Sequence, residues 1–301
     1  MPRLIACIVA VLAATVGSAG AQDRTAAGPF TERAGLLRAV ADRGRISLGH
    51  REDALPFSHR GLRRPLGYSI DLCLAVVDAL RSELGRDVVV DWRVVTSESR
   101  IPELLSGNID LECGSTTINA ERERQVSFSP VIFIAGTRLL VQRDSPVHEF
   151  ADLAGRRVVA TAGTTNAEAV RDLAARERVA IDLVTEPDHA RSFARLAAGR
   201  ADAFASDDVL LHGLIASAPS GEAYRITGRP LSLEPYALMF RRDDPDFAAL
   251  IRRTFEGLAR DGALKAIYGR WFTWHLPGGG QLTLPMDPQL VRLYRELGAP
   301  D

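Results

Sequence analysis

Short apolar runs alternate with longer segments of helical periodicity between residues 44 and 272, which predicts a mixed α/β fold. The first part of this region reads as one β-α-β-α-β unit. Ser69 is expected to cap its first helix and Gly85 to end that helix. The predicted strands are 46–49, 88–95 and 109–113, and a second predicted helix covers 101–106.

A second unit of the same kind follows. Its predicted strands are 157–161, 181–184 and 201–205, and its predicted helices are 166–178 and 190–198. A further strand over 236–240 and two helices, 247–259 and 264–272, complete the pattern. Two such units in 301 residues indicate two lobes, each a doubly wound sheet that binds ligands where strands give way to loops.

The chain passes between the two units without a long linker. Both passages, 133–141 and 229–240, are strand-like, so the first lobe is discontinuous in sequence. We therefore predict lobe one as 22–136 and 235–301, and lobe two as 137–234. Two such crossovers form a hinge suited to closure on a ligand. One continuous domain with an extended sheet is the alternative.

The first residues read as a secretory signal peptide. A single arginine precedes an almost entirely apolar run over 4–16, and small residues stand at Ala19 and Ala21. We expect cleavage after Ala21, so that 1–21 is removed and the protein is periplasmic. A membrane anchor is disfavoured because a bilayer core requires about 20 apolar residues. A lipoprotein box at Cys7 is disfavoured because this cysteine lies inside the apolar run.

Charge and cysteine content narrow the functional classes. The formal net charge is −1, from 37 basic and 38 acidic residues, and does not indicate a nucleic-acid surface. Cys73 and Cys113 remain after the signal is removed and can form one disulfide in an oxidising compartment, or stay as two buried thiols. The sequence has no metal-ligand spacing, phosphate loop or nucleophile elbow, so we expect no metal, no cofactor and no catalysis.

Small hydroxyl residues and an arginine follow the strand predicted over 109–113. The segment 114–122 reads Gly-Ser-Thr-Thr-Ile-Asn-Ala-Glu-Arg. A guanidinium can hold both oxygens of a carboxylate, and Ser and Thr hydroxyls add hydrogen bonds, so this segment is a candidate carboxylate site. The alternative is a polar loop whose hydroxyls bond the local backbone.

Lobe two carries matching candidates. The turn over 163–165 opens a predicted helix, and helix N-terminal N–H groups favour anions, although Gly-Thr turns are also common helix caps. Asp207 and Asp208 follow the strand predicted over 201–205. A carboxylate there can bind an ammonium group or cap the next helix, and one residue of the pair could do each.

Three arginines lie just past strand ends in lobe one: Arg51, Arg100 and Arg122. In a protein of nearly zero net charge, their convergence would require an anion between them. Taken singly, each reads as a solvated surface residue. His189 opens a predicted helix in lobe two, where a lone histidine is more often structural than functional.

Motifs in this order and spacing resemble the amino-acid-binding periplasmic proteins of ABC importers, and most closely their glutamate/aspartate-binding branch. The resembling segments are GHRE (49–52), GYS (67–69), TS (96–97), RIP (100–102), ECGSTT (112–117), FS (128–129), GTRLL (136–140), DLAG (152–155), GTT (163–165), DH (188–189), DD (207–208) and 241–245. The resemblance implies a two-lobe, Venus-flytrap fold.

The resemblance also implies roles by position. Ser115, Thr117, Arg122 and Thr165 would hold the α-carboxylate of the ligand, and Asp207 the α-ammonium. The side-chain carboxylate would be bound by Arg51, Ser97, Arg100 and His189. Asn166 stands where a serine is expected, and the segment between Gly49 and Gly67 is more basic than in the family.

The implied function is periplasmic binding of glutamate or aspartate and delivery to an ABC permease in the inner membrane, by a monomer that does not bind nucleic acid. One alternative is an accessory protein that senses the same ligand. The other is a periplasmic enzyme on this fold, such as a cyclic amino-acid dehydratase. That enzyme would require a positioned acid and a largely apolar pocket, whereas the candidate residues are polar and rich in arginine.

Overall fold

The computed structural model describes residues 35–273 and 281–300. The predicted signal peptide, its cleavage point after Ala21 and the first residues of the predicted lobe one lie outside the described residues. In chain order, the first elements are α1 (Gly35–Arg43), β1 (Arg45–His50), β2 (Asp53–Ala54), β3 (Ser58–His59), α2 (Tyr68–Leu84), β4 (Val89–Val94), α3 (Arg100–Leu105), β5 (Leu111–Thr117), α4 (Ala120–Glu123), β6 (Val126–Phe128) and β7 (Phe133–Ala135).

The remaining elements form the second sheet and then return to the first. They are β8 (Thr137–Gln142), β9 (Arg157–Thr161), α5 (Thr165–Glu177), β10 (Asp182–Glu186), α6 (His189–Ala197), β11 (Ala203–Asp207), α7 (Asp208–Ser217), β12 (Tyr224–Thr227), β13 (Glu234–Arg241), α8 (Pro245–Arg260), α9 (Ala263–Phe272) and α10 (Pro288–Glu296). Short 3₁₀ turns occupy Phe150–Leu153 and Gly221–Ala223.

Two mixed sheets organise the described chain, as the predicted two-lobe fold requires. The first has strand order β4-β1-β5-β13-β6, with β7 also paired to β13; β4, β1 and β5 are parallel, and β13 runs antiparallel to its neighbours. The second has order β10-β9-β11-β8-β12, with β8 antiparallel to β11 and β12. We call these sheets, with their helices, lobe one and lobe two.

Each sheet has apolar clusters on both faces, which is the property of a doubly wound sheet. In β13 the buried Leu238 belongs to the large lobe-one cluster with α2, α8 and α9, whereas the adjacent Met239 packs with Leu104 and Ile109 on the other face. In lobe two, Leu139 and Leu140 divide in the same way between two clusters. The alternation of side chains along a strand explains both pairs.

The chain crosses between lobes at two places. Strand β7 ends at Ala135 in the first sheet and β8 begins at Thr137 in the second, so Gly136 alone separates them. The return crossing lies between β12 and β13, over 228–233. Asp208 braces the first crossing: its Oδ1 accepts a 3.3 Å hydrogen bond from Gly136 N, and its own N donates to Gly136 O. The predicted lobe boundaries at 136/137 and 234/235 remain predictions.

Two local predictions are wrong. Ser69 does not cap α2: the helix begins at Tyr68 after Gly67, and Ser69 Oγ instead donates a 2.6 Å hydrogen bond to Gly114 O. The strand predicted to end at Cys113 continues to Thr117, so the segment expected to be a loop begins as strand and ends in α4. Gly85 does end α2, in the left-handed conformation with φ of 63°.

Candidate functional site

All nine residues predicted to bind the ligand belong to one cluster between the lobes, which we call the charged cluster. From lobe one it contains Arg51, Ser97, Arg100, Ser115, Thr117 and Arg122, and from lobe two Thr165, His189 and Asp207. Thr165 is half-buried and the others are buried. The lobes meet here directly: Thr117 Oγ1 lies 3.4 Å from Thr165 Oγ1, and Arg122 Nη2 donates to Gly163 O at 3.4 Å.

A bulge in β5 shapes the lobe-one side of the cluster. Between Glu112 and Thr116 this strand advances four residues while its partner β13 advances two, from Met239 to Ala237. Such bulges re-aim side chains and are frequent beside binding sites. Gly114 lies within the bulge, and a Cβ there would approach Glu112 Oε1 to 2.2 Å, so a side chain at this position would displace the Glu112 carboxylate.

Arg122 is positioned by its own short helix. Asn119 caps α4 by accepting a 2.9 Å hydrogen bond from Arg122 N, and the guanidinium donates through Nη1 to Thr117 O at 2.8 Å. Burial lowers the pKa of Arg122, although nearby carboxylates, Glu168 first among them, oppose that shift. The guanidinium stays charged, and it faces the Thr117–Thr165 contact where a ligand carboxylate was predicted.

Arg100 is the least satisfied cation of the cluster. Its Nη1 donates to Thr116 Oγ1 at 2.8 Å and to Ser115 O at 3.4 Å, but its buried Nε has no hydrogen-bond partner. Burial, with Arg122 nearby, lowers the pKa of Arg100 to about 9. A buried donor without a partner is costly, so this guanidinium is prepared for an additional acceptor.

Arg51 differs from what we expected, because it already has an anionic partner. Its Nη2 lies 2.9 Å from Asp53 Oδ1, and its Nη1 donates to Ser97 Oγ at 2.8 Å. The expectation that Arg51 needs a ligand anion to compensate its charge is therefore wrong. The sequence could not reveal the pair, since Asp53 follows Arg51 in an ordinary polar run.

Asp207 lies at the end of β11 and is held by both lobes. Its Oδ1 accepts from Asn166 Nδ2 at 2.7 Å, and its Oδ2 accepts from the hydroxyl of Tyr236. Burial raises the pKa of Asp207 to about 7, and the Glu234 carboxylate acts in the same direction. Its neighbour Asp208 accepts from the N–H of the next residue at 2.7 Å, so the two carboxylates serve different purposes.

His189 is the first residue of α6, and its ring is buried. Nδ1 lies 2.8 Å from Thr161 Oγ1, which in turn contacts Ser192 Oγ at 3.0 Å. Burial lowers the pKa of His189 to about 4; the Asp53 carboxylate opposes this shift, and Arg51 and Arg100 favour it. The ring is therefore neutral near pH 7 and available for hydrogen bonding through Nε2.

Several polar residues at the cluster, all buried except the half-buried Asp53, were not assigned a role from the sequence: Asp53, Glu112, Thr116, Asn166, Glu234 and Tyr236. Glu112 is fully buried, accepts from Thr116 Oγ1 at 2.7 Å through Oε2, and leaves Oε1 without a partner. A glutamate inside an otherwise apolar or small-residue strand was a usable signal. Glu234 accepts from Thr165 Oγ1 at 2.6 Å, across the two lobes.

Cys73 and Cys113 are joined by a disulfide within lobe one, with their Cα atoms 6.1 Å apart. The bond connects α2 to β5 just before the bulge. Within residues 35–273 and 281–300, no group of three or more His, Cys, Asp or Glu side chains is arranged to hold a metal ion. In the same residues, no helix is both long and apolar enough to cross a membrane.

Two α/β lobes that meet over a buried charged cluster define the class of periplasmic binding proteins. Within that class, the profile of the bacterial extracellular solute-binding proteins, family 3, matches residues 46–273, and the chain belongs to this family. The chain is 40% identical over 266 residues to the L-glutamate/L-aspartate-binding protein of Pseudomonas aeruginosa, covering 87% of this chain and 88% of that one.

Other relatives agree with this placement. The chain is 35% identical to the glutamate/aspartate import solute-binding protein of Escherichia coli K12, covering 98% of this chain and 97% of the other. Among solved structures, an ancestral arginine-binding protein bound to glutamine matches with a TM-score of 0.68 at 28% identity, covering 76% and 98% of the two chains. An ancestral amino acid-binding protein described as a precursor of cyclohexadienyl dehydratase matches with a TM-score of 0.66 at 27% identity, covering 80% and 100%.

Proposed function

We propose that this protein binds an acidic L-amino acid, glutamate or aspartate, in the periplasm and delivers it to an ABC importer. One observation carries the proposal. Among the ion pairs of the described residues, none involves Arg100 or Arg122, although both guanidiniums are buried. Asp207, across the lobe interface, is a buried carboxylate with no cationic side chain bonded to it.

A dicarboxylic amino acid matches this set charge for charge. Arg122 would pair with the α-carboxylate, Asp207 with the α-ammonium and Arg100 with the side-chain carboxylate. A ligand with a neutral side chain would leave Arg100 without a bonded carboxylate, since Glu112 acts on it only as a nearby charge, and breaking a buried charge pair costs about 3–5 kcal/mol. The ligand set we propose is therefore Ser115, Thr117, Arg122, Thr165 and Asp207 for the backbone groups, and Arg51, Ser97, Arg100 and His189 for the side-chain carboxylate.

Arg51 has a more limited role in this scheme than Arg100. Asp53 compensates its charge, so Arg51 contributes hydrogen bonds while Arg100 contributes most of the charge that selects a carboxylate. The names of the Pseudomonas aeruginosa and Escherichia coli relatives support the ligand class, because both are glutamate/aspartate-binding proteins. The Escherichia coli relative is named an import solute-binding protein, which supports a role in transport and hence a partner permease.

We also propose that the protein is not an enzyme and that it acts as a monomer without a cofactor. The relatives named above are binding proteins, and the charged groups of the cluster are the ones that binding requires. The proposed mature chain begins at Gln22, after a cleaved signal peptide. Mass spectrometry of protein from the periplasmic fraction tests the cleavage, and sedimentation equilibrium tests the monomer.

Calorimetric titration with glutamate, aspartate, glutamine and asparagine tests the ligand class. We expect micromolar or tighter binding of the two acids and much weaker binding of the two amides. Equal affinity for glutamate and glutamine would refute the proposal. NMR of the same mixtures after long incubation tests the absence of catalysis, since the amino acid should be recovered unchanged.

A further inference from the structure

Strands β2 and β3 pair as an antiparallel hairpin between β1 and α2 of lobe one. This hairpin makes two contacts with lobe two through protein atoms alone. In the first, Asp53 Oδ2 accepts a 2.6 Å hydrogen bond from His189 N, the first N–H of α6. The helix already has its own cap, because the Asp188 side chain accepts from Arg191 N. Asp53 thus adds a second carboxylate to the helix N-terminus, where negative charge is stabilised.

The second contact joins the same hairpin to α7. Gly213 lies against the backbone of Leu55, and a Cβ built on Gly213 would come within 2.2 Å of Leu55 O. A backbone carbonyl cannot move aside as the end of a flexible side chain can. The helix can therefore approach the hairpin this closely only because position 213 has no side chain.

We propose that residues 53–55 form a closure latch, which holds lobe one on α6 and α7 of lobe two without the participation of the ligand. The latch deepens the proposed function, because it sets how much of the ligand-free protein is already closed. It uses Asp53 for a polar contact and Leu55 for a steric fit. Neither Asp53 nor Leu55 is among the residues that we assign to the ligand, and His189 contributes only its backbone N–H.

Arg51 orients the Asp53 carboxylate for its contact with His189. The Arg51–Asp53 pair is buried in lobe one, so the carboxylate is oriented before the lobes meet. Burial alone would raise the pKa of Asp53, but Arg51, His189 and the α6 N–H groups outweigh burial and keep the pKa below its ordinary value. The carboxylate is thus charged at neutral pH when it receives the His189 N–H.

A latch of this kind has a characteristic effect on binding. The apparent affinity of a ligand scales with the fraction of protein in the binding-competent state, and that fraction does not depend on which ligand is present. Loss of the latch should therefore weaken glutamate and aspartate by the same factor. A change in a ligand contact would instead alter the ratio of the two affinities.

Gly213→Ala is the first test, and Gly257→Ala is its matched control. Both glycines lie inside helices, but a Cβ on Gly257 meets nothing within 4 Å. We expect Gly213→Ala to weaken glutamate and aspartate equally, by about tenfold or more, through faster dissociation, and Gly257→Ala to leave both affinities unchanged. Unchanged affinity in Gly213→Ala, or an altered glutamate-to-aspartate ratio, would overturn the latch.

The second test needs no ligand. Spin labels on the exposed positions Asn108→Cys in lobe one and Arg200→Cys in lobe two report the distance between the lobes in the ligand-free protein. We expect a population at short distance that Asp53→Ala and Gly213→Ala both reduce, and that the control Glu52→Ala, an exposed neighbour of Asp53, preserves.

The two proposals can fail separately. A ligand-free protein with no short-distance population, or one in which the variants do not change it, would overturn the latch even if glutamate binds as proposed. Absence of glutamate binding by the unmodified protein would overturn the proposed function. The distances between the spin labels would still test whether the latch exists.

Discussion

Asn166 Nδ2 donates a 2.7 Å hydrogen bond to Asp207 Oδ1, and this bond ties the first turn of α5 to the end of β11. Together with the hydroxyl of Tyr236 it fixes both oxygens of the carboxylate. These donors favour the ionised form, yet burial keeps the pKa of Asp207 at about 7. The residue that we propose for the ligand ammonium therefore changes charge close to neutral pH.

Affinity for the acidic amino acid should rise with pH and level off above about pH 7. The ammonium group binds the ionised Asp207, so binding lowers its pKa and releases a proton when the free protein carries one. Below pH 7 the dissociation constant should increase as pH falls, by up to about tenfold per unit. Calorimetry in two buffers of different ionisation enthalpy measures the proton release.

Asp202→Asn is the control for that experiment, because this half-buried carboxylate pairs with Arg157 at the opposite end of β11 from Asp207. It should leave the pH dependence unchanged. An affinity that falls as pH rises would instead indicate proton uptake on binding, for which His189 is the candidate group.

His189 should make the ligand-free protein less stable in mild acid. Its pKa of about 4 in the fold lies below the ordinary value of 6.5. Between these pH values the unfolded chain binds a proton at His189 and the folded chain does not. The contribution of His189 to the free energy of unfolding therefore falls as pH drops from 6.5 towards 4, by up to about 3 kcal/mol. Denaturant unfolding of the unmodified protein and of His189→Asn measures the difference.

The variant should show a flatter decline in the free energy of unfolding over that pH interval. His148→Asn, at an exposed histidine, should follow the unmodified protein. Identical curves for the unmodified protein and His189→Asn would show that the His189 ring is not kept neutral by burial.

Arg100→Ala should reduce selectivity more than it reduces general binding. We expect glutamate to lose about 3–5 kcal/mol of binding free energy, because its side-chain carboxylate loses the cation that compensates it. Glutamine should lose much less, so the two affinities converge. Titration of both ligands checks this, and Arg93→Ala, at an exposed arginine paired with Asp91, should change neither.

Arg122→Ala should remove binding of every amino acid tested. The α-carboxylate is common to all of them, and it would lose its bidentate partner. Arg124→Ala is the matched control, two residues further on at the C-cap of the same short helix and exposed to solvent. If Arg122→Ala still bound glutamate with near-normal affinity, another residue would have to bind the α-carboxylate.

Reduction of the Cys73–Cys113 bond should destabilise the protein without changing the ligand set. The bond closes a loop with a sequence separation of 40, for which chain entropy suggests a stabilisation of about 2–4 kcal/mol. Urea unfolding with and without reductant measures this. Thiol labelling of the unfolded, unreduced mature protein should detect no free thiol, and two labelled cysteines would contradict the bond.

The local pattern of apolar residues was sufficient to predict the order of helices and strands, because apolar periodicity reflects burial directly. It failed at β5, where small hydroxyl residues continue the strand past Cys113. Their partner is β13, more than 100 residues later, and no local signal announces a pairing so distant in sequence. Ser69 failed for a similar reason, since its hydroxyl serves Gly114 and not its own helix.

The charged cluster was predictable as a set but not in its internal pairing. Residues at strand ends were expected to converge, and they do. Which carboxylate would compensate which arginine depends on distances of a few ångströms between the lobes. Asp53 is the clearest example, since it pairs with Arg51 and also contacts His189, in a part of the chain that no local pattern connects to it.

Strand β13 lies inside the first sheet, between β5 and β6, yet it follows the whole of lobe two in the chain. A chain that emerges from a membrane N-terminus first would therefore present all of lobe two before lobe one can be completed. The strands of lobe two all come from one continuous segment, and domains generally fold as units during synthesis. In the export that we propose, β5 would have an open edge until β13 arrives, and an unpaired strand edge favours aggregation.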